Sequence, residues 1–165
     1  MQQGHEGHGG MSRSMMRGHY TMLAVNLILS AVVMYLAMFT MIWSYADFFN
    51  NLNMFYMALI MWAPMGILML VTMASMYADK RLNLILYGVF AIVLALSFFA
   101  MRQQSLIGDR QFLRAMIPHH SGAILMCQRA SIQDDKVRDL CFRPNGIVQS
   151  QNREIKEMKG ILGGL

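Results

Sequence analysis

Residues 112–127 read FLRAMIPHHSGAILMC, and residues 150–158 read SQNREIKEM. In and around both stretches, spacings of three and four residues predict two α-helices, each with one narrow stripe. The stripe of the first comprises Leu113, Met116, His120, Ala123, Cys127 and Ala130, and that of the second comprises Ile147, Gln151, Glu154, Met158 and Ile161. The polar segments SIQDDK (131–136) and RPNG (143–146) interrupt the helical pattern between them. We therefore expect an all-α chain whose residues 102–165 form an αα-hairpin with the two stripes facing each other.

The composition of the whole chain is typical of a membrane protein. Of its 165 residues, 56% are hydrophobic and only 14% are charged, and 19 are methionine. Its net charge of +5 is modest, and the polar half lacks the clustered basic face with aromatic platforms that nucleic-acid binding needs. The chemistry is therefore expected in the polar C-terminal part.

Three apolar segments precede that part, Tyr20 to Ser44, Met54 to Tyr77 and Leu84 to Met101. A bilayer core about 30 Å thick is crossed by roughly 20 helical residues, so residues 20–101 predict a three-helix transmembrane anchor. Short polar links make the helices antiparallel neighbours. Residues 1–19 are rich in Gly, His and Met, and are expected to be a disordered tail.

The distribution of basic residues predicts the orientation of this anchor. Arg13 and Arg17 precede the first segment, Lys80 and Arg81 lie between the second and third, and the first link carries no Lys or Arg. Because basic residues favour the cytoplasmic side, the N-terminus is expected inside the cell. The C-terminal domain then lies outside, which is the periplasm for an inner-membrane protein of a Gram-negative bacterium.

Residues 102–165 are too few for a good independent core, and two helices cannot surround a site. Pairing of two hairpins into a four-helix bundle would solve both problems. We therefore expect a homodimer or a higher homo-oligomer.

The side chains of the hairpin favour a soft transition metal. Thioether and imidazole groups together select copper, with Cu⁺ favoured by methionine and Cu²⁺ also held by imidazole. Zinc is disfavoured, because no Cys/His cluster has the usual tetrahedral spacing.

Three stretches also carry a resemblance to a known family: DRQFLRAMIPHHSGAILMC (109–127), LC (140–141) and IVQSQNREIKEM (147–158). They resemble the ferritin-like family catalogued as domain of unknown function 305, and the apolar half resembles its three-span version. The resemblance implies a helical bundle, an association with copper and other heavy-metal resistance, and metal binding through His and Met. The ligands it implies are Met116, His119, His120, Met126, Glu154 and Met158. This chain departs from the pattern at FRPNG (142–146), which is expected either to shift Glu154 and Met158 relative to His119 and His120 or to loop out as a bulge.

Two cysteines, Cys127 and Cys141, lie nearly symmetrically about the expected turn. A disulfide requires Cα atoms within about 7 Å, whereas the axes of packed helices lie about 8–10 Å apart. Inert burial as free thiols is therefore the favoured expectation, with a disulfide or thiolate ligation as alternatives.

Seven methionines follow one another at spacings of three and four along the second apolar segment: Met54, Met57, Met61, Met65, Met69, Met73 and Met76. A copper(I) relay is conceivable, but flexible apolar packing is the favoured interpretation.

Three functions compete. The first is a membrane-anchored copper or silver binding protein in metal resistance, not an enzyme, which sequesters the metal or hands it to a copper exporter, an oxidase or a copper chaperone. The second is a structural or regulatory membrane subunit without a metal. The third, a ferritin-like dinuclear-metal redox enzyme, is disfavoured because such sites need four carboxylates and two Glu-x-x-His motifs, which the hairpin lacks.

Overall fold

The computed structural model describes residues 13–165, and within that range every regular element is helical. The α-helices are, in chain order, α1 (Arg13–Ala37), α2 (Leu52–Thr72), α3 (Lys80–Arg102), α4 (Asp109–Arg129), α5 (Asp135–Phe142) and α6 (Ile147–Gly164). Two short 3₁₀ turns, Met38–Met41 and Tyr45–Asp47, lie in the link between α1 and α2. The all-α prediction is confirmed.

The three apolar helices form the first unit, with α2 packed against both α1 and α3. Its core is a cluster of buried side chains, Leu23, Leu27, Ala63, Leu70, Tyr77 and Phe90. Phe90 fits against α2 because Gly66 has no side chain: a Cβ at that position would lie 2.5 Å from the Phe90 ring. The Trp62 ring meets the same ring edge to face, with centroids 5.3 Å apart.

Each apolar helix contains an 18-residue window with a mean hydropathy of 2.0 or more, and only 11 to 28% of the residues in these windows are buried. Most of their apolar side chains therefore face outward, which is compatible with a surrounding bilayer.

Polar contacts distinguish the two ends of this unit. At one end, Nδ1 of His19 donates to the carbonyl oxygen of Met76 at 3.0 Å, and the Tyr20 hydroxyl donates to Oδ1 of Asn83 at 2.7 Å. These contacts join the start of α1 to the link between α2 and α3 and to the first turn of α3. The C-terminal helices lie at the opposite end, against the link between α1 and α2.

The bounds of the helices differ from the expected ones. Residues 13–19, expected to be disordered, form the first turns of α1, so the helix begins before the apolar segment does. The remaining residues of the expected tail, 1–12, lie outside the described residues. The first segment leaves the α-helix at Ala37, and the third begins at Lys80, where Oδ1 of Asp79 caps the helix by accepting from the amide of Leu82.

The C-terminal domain contains three helices, whereas a hairpin of two was expected. Helices α4 and α6 form the main packing pair, and the short α5 connects them. The RPNG segment makes the turn into α6: Asn145 adopts a left-handed backbone with φ 59°. Gly146 follows, and a Cβ there would lie 2.8 Å from the carbonyl oxygens of Leu140 and Arg143. This close backbone approach explains why glycine occupies the position.

Cys127 of α4 and Cys141 of α5 are both buried and form a disulfide, with Cα atoms 5.7 Å apart. The expected burial is confirmed, but the favoured expectation of free thiols was wrong. The spacing of two long packed helices does not apply here, because Cys141 lies on the short helix that turns back onto the end of α4.

The buried faces of α4 and α6 are rotated from the predicted stripes. The core between these helices is formed by Ile117, Ile124 and Ile155, with Met158 packed against them. Ile117 and Ile124 lie one position after Met116 and Ala123 of the predicted stripe, and Ile155 follows Glu154. One position is about 100° of helix rotation, so the predicted polar stripes lie at the margin of the interface instead of at its centre.

Candidate metal centre

The central contact of the candidate site joins α4 to α6. Nδ1 of His120 lies 3.1 Å from Oε2 of Glu154, and the two side chains are 13% and 43% exposed. The distance between the two atoms suits an ion pair, but the geometry of the contact is not that of a hydrogen bond. The buried Nδ1 of His120 therefore has no hydrogen-bond partner among the described residues. His120 therefore presents an imidazole nitrogen that makes no hydrogen bond within the part of the chain that the structure describes.

Burial also controls the protonation of His120. It lowers the pKa of this imidazole below its ordinary value of 6.5, with His119 acting in the same direction and the Glu154 carboxylate in the opposite one. The neutral form, which is the form that binds a metal, therefore persists to a lower pH than for a solvated histidine.

Two of the expected ligands lie beside His120 on α4. Met116 is half-buried one turn earlier, at the i−4 position, where helix geometry makes the two side chains neighbours. His119 is exposed, and its ring centroid lies 6.1 Å from that of His120 at an interplanar angle of 59°. The two imidazoles therefore diverge, and His120 is the one that points toward α6.

The remaining expected ligands are placed differently from one another. Glu154 reaches His120, so the FRPNG departure does not separate these two residues. Met158, one turn after Glu154, packs against the Ile117, Ile124 and Ile155 core. Met126 is 54% exposed and lies two turns after His119 on the outward face of α4. The structure thus brings His120 and Glu154 together, and the i−4 spacing places Met116 beside His120 on α4, whereas Met126 lies exposed two turns further along the helix.

Among residues 13–165, no three side chains of the His, Cys, Asp and Glu types come together in one group. A centre that uses the His120–Glu154 pair must therefore draw its further donors from other residue types or from another molecule. Thioether sulfur of Met116 is the nearest such donor along the helix. The donor set fits a soft metal ion better than a hard one.

A second polar cluster, which the sequence analysis missed, attaches the C-terminal domain to the apolar helices. Asp47 is 5% exposed. Its Oδ2 accepts from the Ser121 hydroxyl at 2.5 Å, and its Oδ1 lies 2.6 Å from Nζ of Lys159. The Ser121 oxygen in turn accepts from the backbone amide of Trp43 at 2.7 Å. This cluster connects the α1–α2 link to α4 and α6, and Ser121 directly follows His120.

Close packing accompanies the cluster. The Arg129 guanidinium lies over the Trp43 ring at 5.5 Å, and a Cβ at Gly122 would lie 3.3 Å from the Met41 carbonyl oxygen. One signal in the sequence could have identified the cluster: Asp47 is the only Asp, Glu, Lys or Arg between Arg17 and Asp79. A lone acid between two apolar segments needs a partner when it is buried, and that partner had to come from elsewhere in the chain.

Comparisons with known proteins agree with the division into two units. The family described as Domain of unknown function (DUF305) matches residues 100–162, which include α4, α5 and most of α6. An uncharacterized protein of Acanthamoeba polyphaga mimivirus is 34% identical over 146 residues, which cover 86% of this chain and 91% of that protein. No solved structure matches. The similarity to the viral protein extends beyond the matched domain into the apolar helices, and the chain belongs to the DUF305 family.

Proposed function

We propose that this protein is a membrane-anchored copper or silver binding protein. It captures the metal at the outer face of the inner membrane and stores it or hands it on, as part of metal resistance and homeostasis. The observation that carries the proposal is the buried Nδ1 of His120, which has no hydrogen-bond partner among residues 13–165 and lies beside Glu154. The metal is cargo, so the proposal requires capture and release and no catalytic turnover.

The anchor is the bundle of α1, α2 and α3, whose apolar side chains face outward. The contacts at its two ends support antiparallel spans, because α1 starts and α2 ends on one side while the C-terminal domain meets the α1–α2 link on the other. Lys80 and Arg81 lie on the side of the N-terminus, and the opposite link carries no Lys or Arg. The distribution of basic residues therefore supports a cytoplasmic N-terminus and a periplasmic C-terminal domain.

The disulfide supports the same orientation independently. Disulfides persist in oxidising compartments such as the periplasm and are rare in the cytosol. The Cys127–Cys141 bond belongs to the domain that the charge pattern places outside the cytoplasm.

The donors favour a soft ion. Met116 supplies a thioether, His120 an imidazole and Glu154 a carboxylate that balances charge, while His119 and Met126 are exposed side chains of the same helix, α4. Thioether sulfur binds Cu⁺ and Ag⁺ well, and imidazole accommodates both Cu⁺ and Cu²⁺. Met158 supports the site through packing.

A second copy of the chain completes this proposal. The pair formed by His120 and Glu154 lies at an interface margin and supplies fewer donors than a closed metal site needs. Large apolar side chains on the domain remain about half exposed, among them Phe112, Met126, Leu140, Phe142 and Ile161. Pairing of two domains into a four-helix bundle would cover such side chains and bring two sets of donors together.

The full-length, detergent-purified protein is loaded anaerobically with Cu⁺, and free metal is removed. Elemental analysis then measures the copper that remains bound. The wild type is expected to retain copper, and the His120→Ala and His119→Ala/His120→Ala variants are expected to lose it. His19→Ala is the matched control, because His19 lies at the opposite end of the bundle. It is expected to retain copper.

Equal retention by the wild type and the double variant would move the site to the methionines of α2 or to the N-terminal residues. No retention by the wild type would refute metal binding and favour the structural or regulatory subunit. A cell strain carrying the double variant is expected to lose metal tolerance, and unchanged tolerance would count against a role in resistance.

A further inference from the structure

A cleft with several polar side chains lies where α4 meets the ends of α1 and α2, and neither His120 nor Glu154 lines it. Its volume is about 390 Å³, and its lining includes Tyr35, Asn50, Phe55, Gln111 and Arg114. Tyr35 lies near the end of α1 and Phe55 near the start of α2. The cleft is therefore at the boundary between the apolar helices and the C-terminal domain.

Arg114 supplies the charge of this cleft. Its Nε is buried and has no hydrogen-bond partner, and no carboxylate of the described chain lies within ion-pair distance of it. The nearby buried acid, Asp47, is already occupied by Lys159 and Ser121. Arg114 is held in place through its backbone, because its carbonyl oxygen accepts from the amide side chain of Asn51 at 3.4 Å. A guanidinium whose Nε makes no hydrogen bond to residues 13–165 is suited to binding an anion.

Two side-chain amides beside Arg114 also have unused donors. Oε1 of Gln111 accepts from the backbone amide of Leu52 at 3.1 Å, and Oδ1 of Asn50 accepts from the Tyr35 hydroxyl. The oxygen of each amide is therefore engaged, while its NH₂ group makes no hydrogen bond to residues 13–165. The cleft thus offers one cation and two amide donors, and none of the carboxylates of residues 13–165 lines it.

An apolar groove continues from the cleft between α1 and α2. Its volume is about 250 Å³, and Tyr35 and Phe55 line both spaces. The other lining residues include Ala31 and Ala58, each about one turn further from the helix ends. Their small side chains leave room at a depth that, for spanning helices, corresponds to the start of the hydrocarbon region.

We propose that the cleft and the groove together bind one anionic phospholipid, with its phosphate at Arg114, Asn50 and Gln111 and one acyl chain along the groove. The proposal rests on the membrane placement of α1, α2 and α3. Charge complementarity selects an anionic lipid. Arg114 neutralises the phosphate, and the described residues that line the cleft include no carboxylate to pair with the cation of a zwitterionic headgroup. The bound lipid would join the C-terminal domain to the anchor near the Asp47 cluster.

Native mass spectrometry of the full-length protein in a non-ionic detergent tests this site. The protein is titrated with dioleoyl phosphatidylglycerol and, separately, with dioleoyl phosphatidylcholine. We expect the wild type to prefer the anionic lipid by about tenfold, the size of one charge-assisted contact. Arg114→Gln is expected to abolish the preference, and Arg114→Lys to retain part of it. Arg102→Gln, which removes an exposed charge at the same end of the bundle, is expected to retain it fully.

Several results would overturn the proposal. Equal binding of the two lipids by the wild type would do so. An equal loss of the preference for the anionic lipid in the Arg102 and Arg114 variants would also do so, because it would indicate a diffuse attraction between the basic protein surface and the lipid charge. Displacement of the lipid by an equal concentration of inorganic phosphate would show that the groove contributes nothing. Ala31→Phe fills the groove without altering the charges, and unchanged lipid binding in this variant would also contradict the proposal.

Failure of the membrane placement is recognised separately. If α1, α2 and α3 do not span the membrane, alkaline carbonate will extract the protein from cell membranes. If the protein stays in the membrane but does not discriminate between the two lipids, only the lipid site is refuted. Copper retention by Arg114→Gln is expected to equal that of the wild type, so the two sites are tested independently.

Discussion

Replacement of Lys159 by Met should loosen the attachment of the C-terminal domain to the apolar helices. In the structure Nζ of Lys159 lies 2.6 Å from Oδ1 of Asp47, which is only 5% exposed, so the variant leaves a buried carboxylate without its cation. Loss of one partner from a fully buried pair costs about 3–5 kcal/mol. Lys159 is 32% exposed, and the Ser121 hydroxyl still donates to Asp47, so we expect a smaller loss of about 2 kcal/mol.

Amide hydrogen exchange of the full-length protein in detergent measures this loss where it occurs. A destabilisation of about 2 kcal/mol corresponds to about 30-fold faster exchange through local opening. The acceleration is expected in α4, α6 and the α1–α2 link, whereas the cores of α2 and α3 should exchange at the wild-type rate. A single rate change throughout the chain would indicate global destabilisation and contradict the local role of the cluster.

Lys156→Met is the matched control, because Lys156 is an exposed residue of the same helix. Its effect is expected to stay within about 0.5 kcal/mol. The double variant Asp47→Asn/Lys159→Met removes the unpaired charge and should exchange more slowly than Lys159→Met alone. Wild-type exchange rates in Lys159→Met, or a double variant at least as fast as the single one, would refute the reasoning.

Four further predictions concern other parts of the chain. In the metal-free protein, Glu154→Gln should lower the pKa of His120 further, because the substitution removes the carboxylate charge that raises this pKa. An NMR titration measures the pKa of His120, and an unchanged or raised value in the variant would contradict the contact between the two side chains. Since the folded pKa of His120 lies below its ordinary 6.5, the stability contributed by the neutral imidazole is complete above about pH 6.5 and is lost as the pH falls through the folded value. Reduction of the disulfide should destabilise the C-terminal domain by about 3 kcal/mol, as measured by hydrogen exchange, whereas alkylation of both cysteines in unreduced protein would show that the bond is absent. Gly66→Ala should destabilise the apolar bundle by about 1–3 kcal/mol because it crowds the buried Phe90 ring, while Gly88→Ala, which meets nothing within 4 Å, should not; equal thermal stability of the two variants in detergent would contradict this packing.

Much of the helical organisation could be predicted from local patterns. The three apolar segments were located because each is long and nearly free of charge, and helices α4 and α6 because their apolar residues recur every three or four positions. The helix ends were less accurate, since apolar composition continues past Ala37 and helical residues precede Tyr20. Backbone hydrogen bonding and capping residues such as Asp79 determine where a helix begins and ends, and the hydropathy of a segment carries no information about either.

The metal site itself stays a prediction, and the structure tests only how its expected ligands lie relative to one another. The proximity of His120 and Glu154 agrees with two facing helices. The three methionines looked alike in the sequence, but Met116 is half-buried, Met126 is exposed and Met158 packs against the isoleucine core. A rotation of about 100° decides which side chain enters a helix interface, and stripes one position apart are both compatible with the sequence. The sequence therefore could not show that Met116 of α4 would be half-buried and Met126 of the same helix exposed.

Local sequence patterns are sufficient to predict the all-α class, the three apolar helices and the His-Met-rich C-terminal part, because these depend on composition and on contacts within a few residues. The Cys127–Cys141 disulfide, the pairing of Asp47 with Lys159 and Ser121, and the cleft at Arg114 became visible in the folded chain alone. These features join residues from separate helices and links. Their formation depends on helix rotation and docking, which the packing of the whole chain selects and which no local pattern encodes.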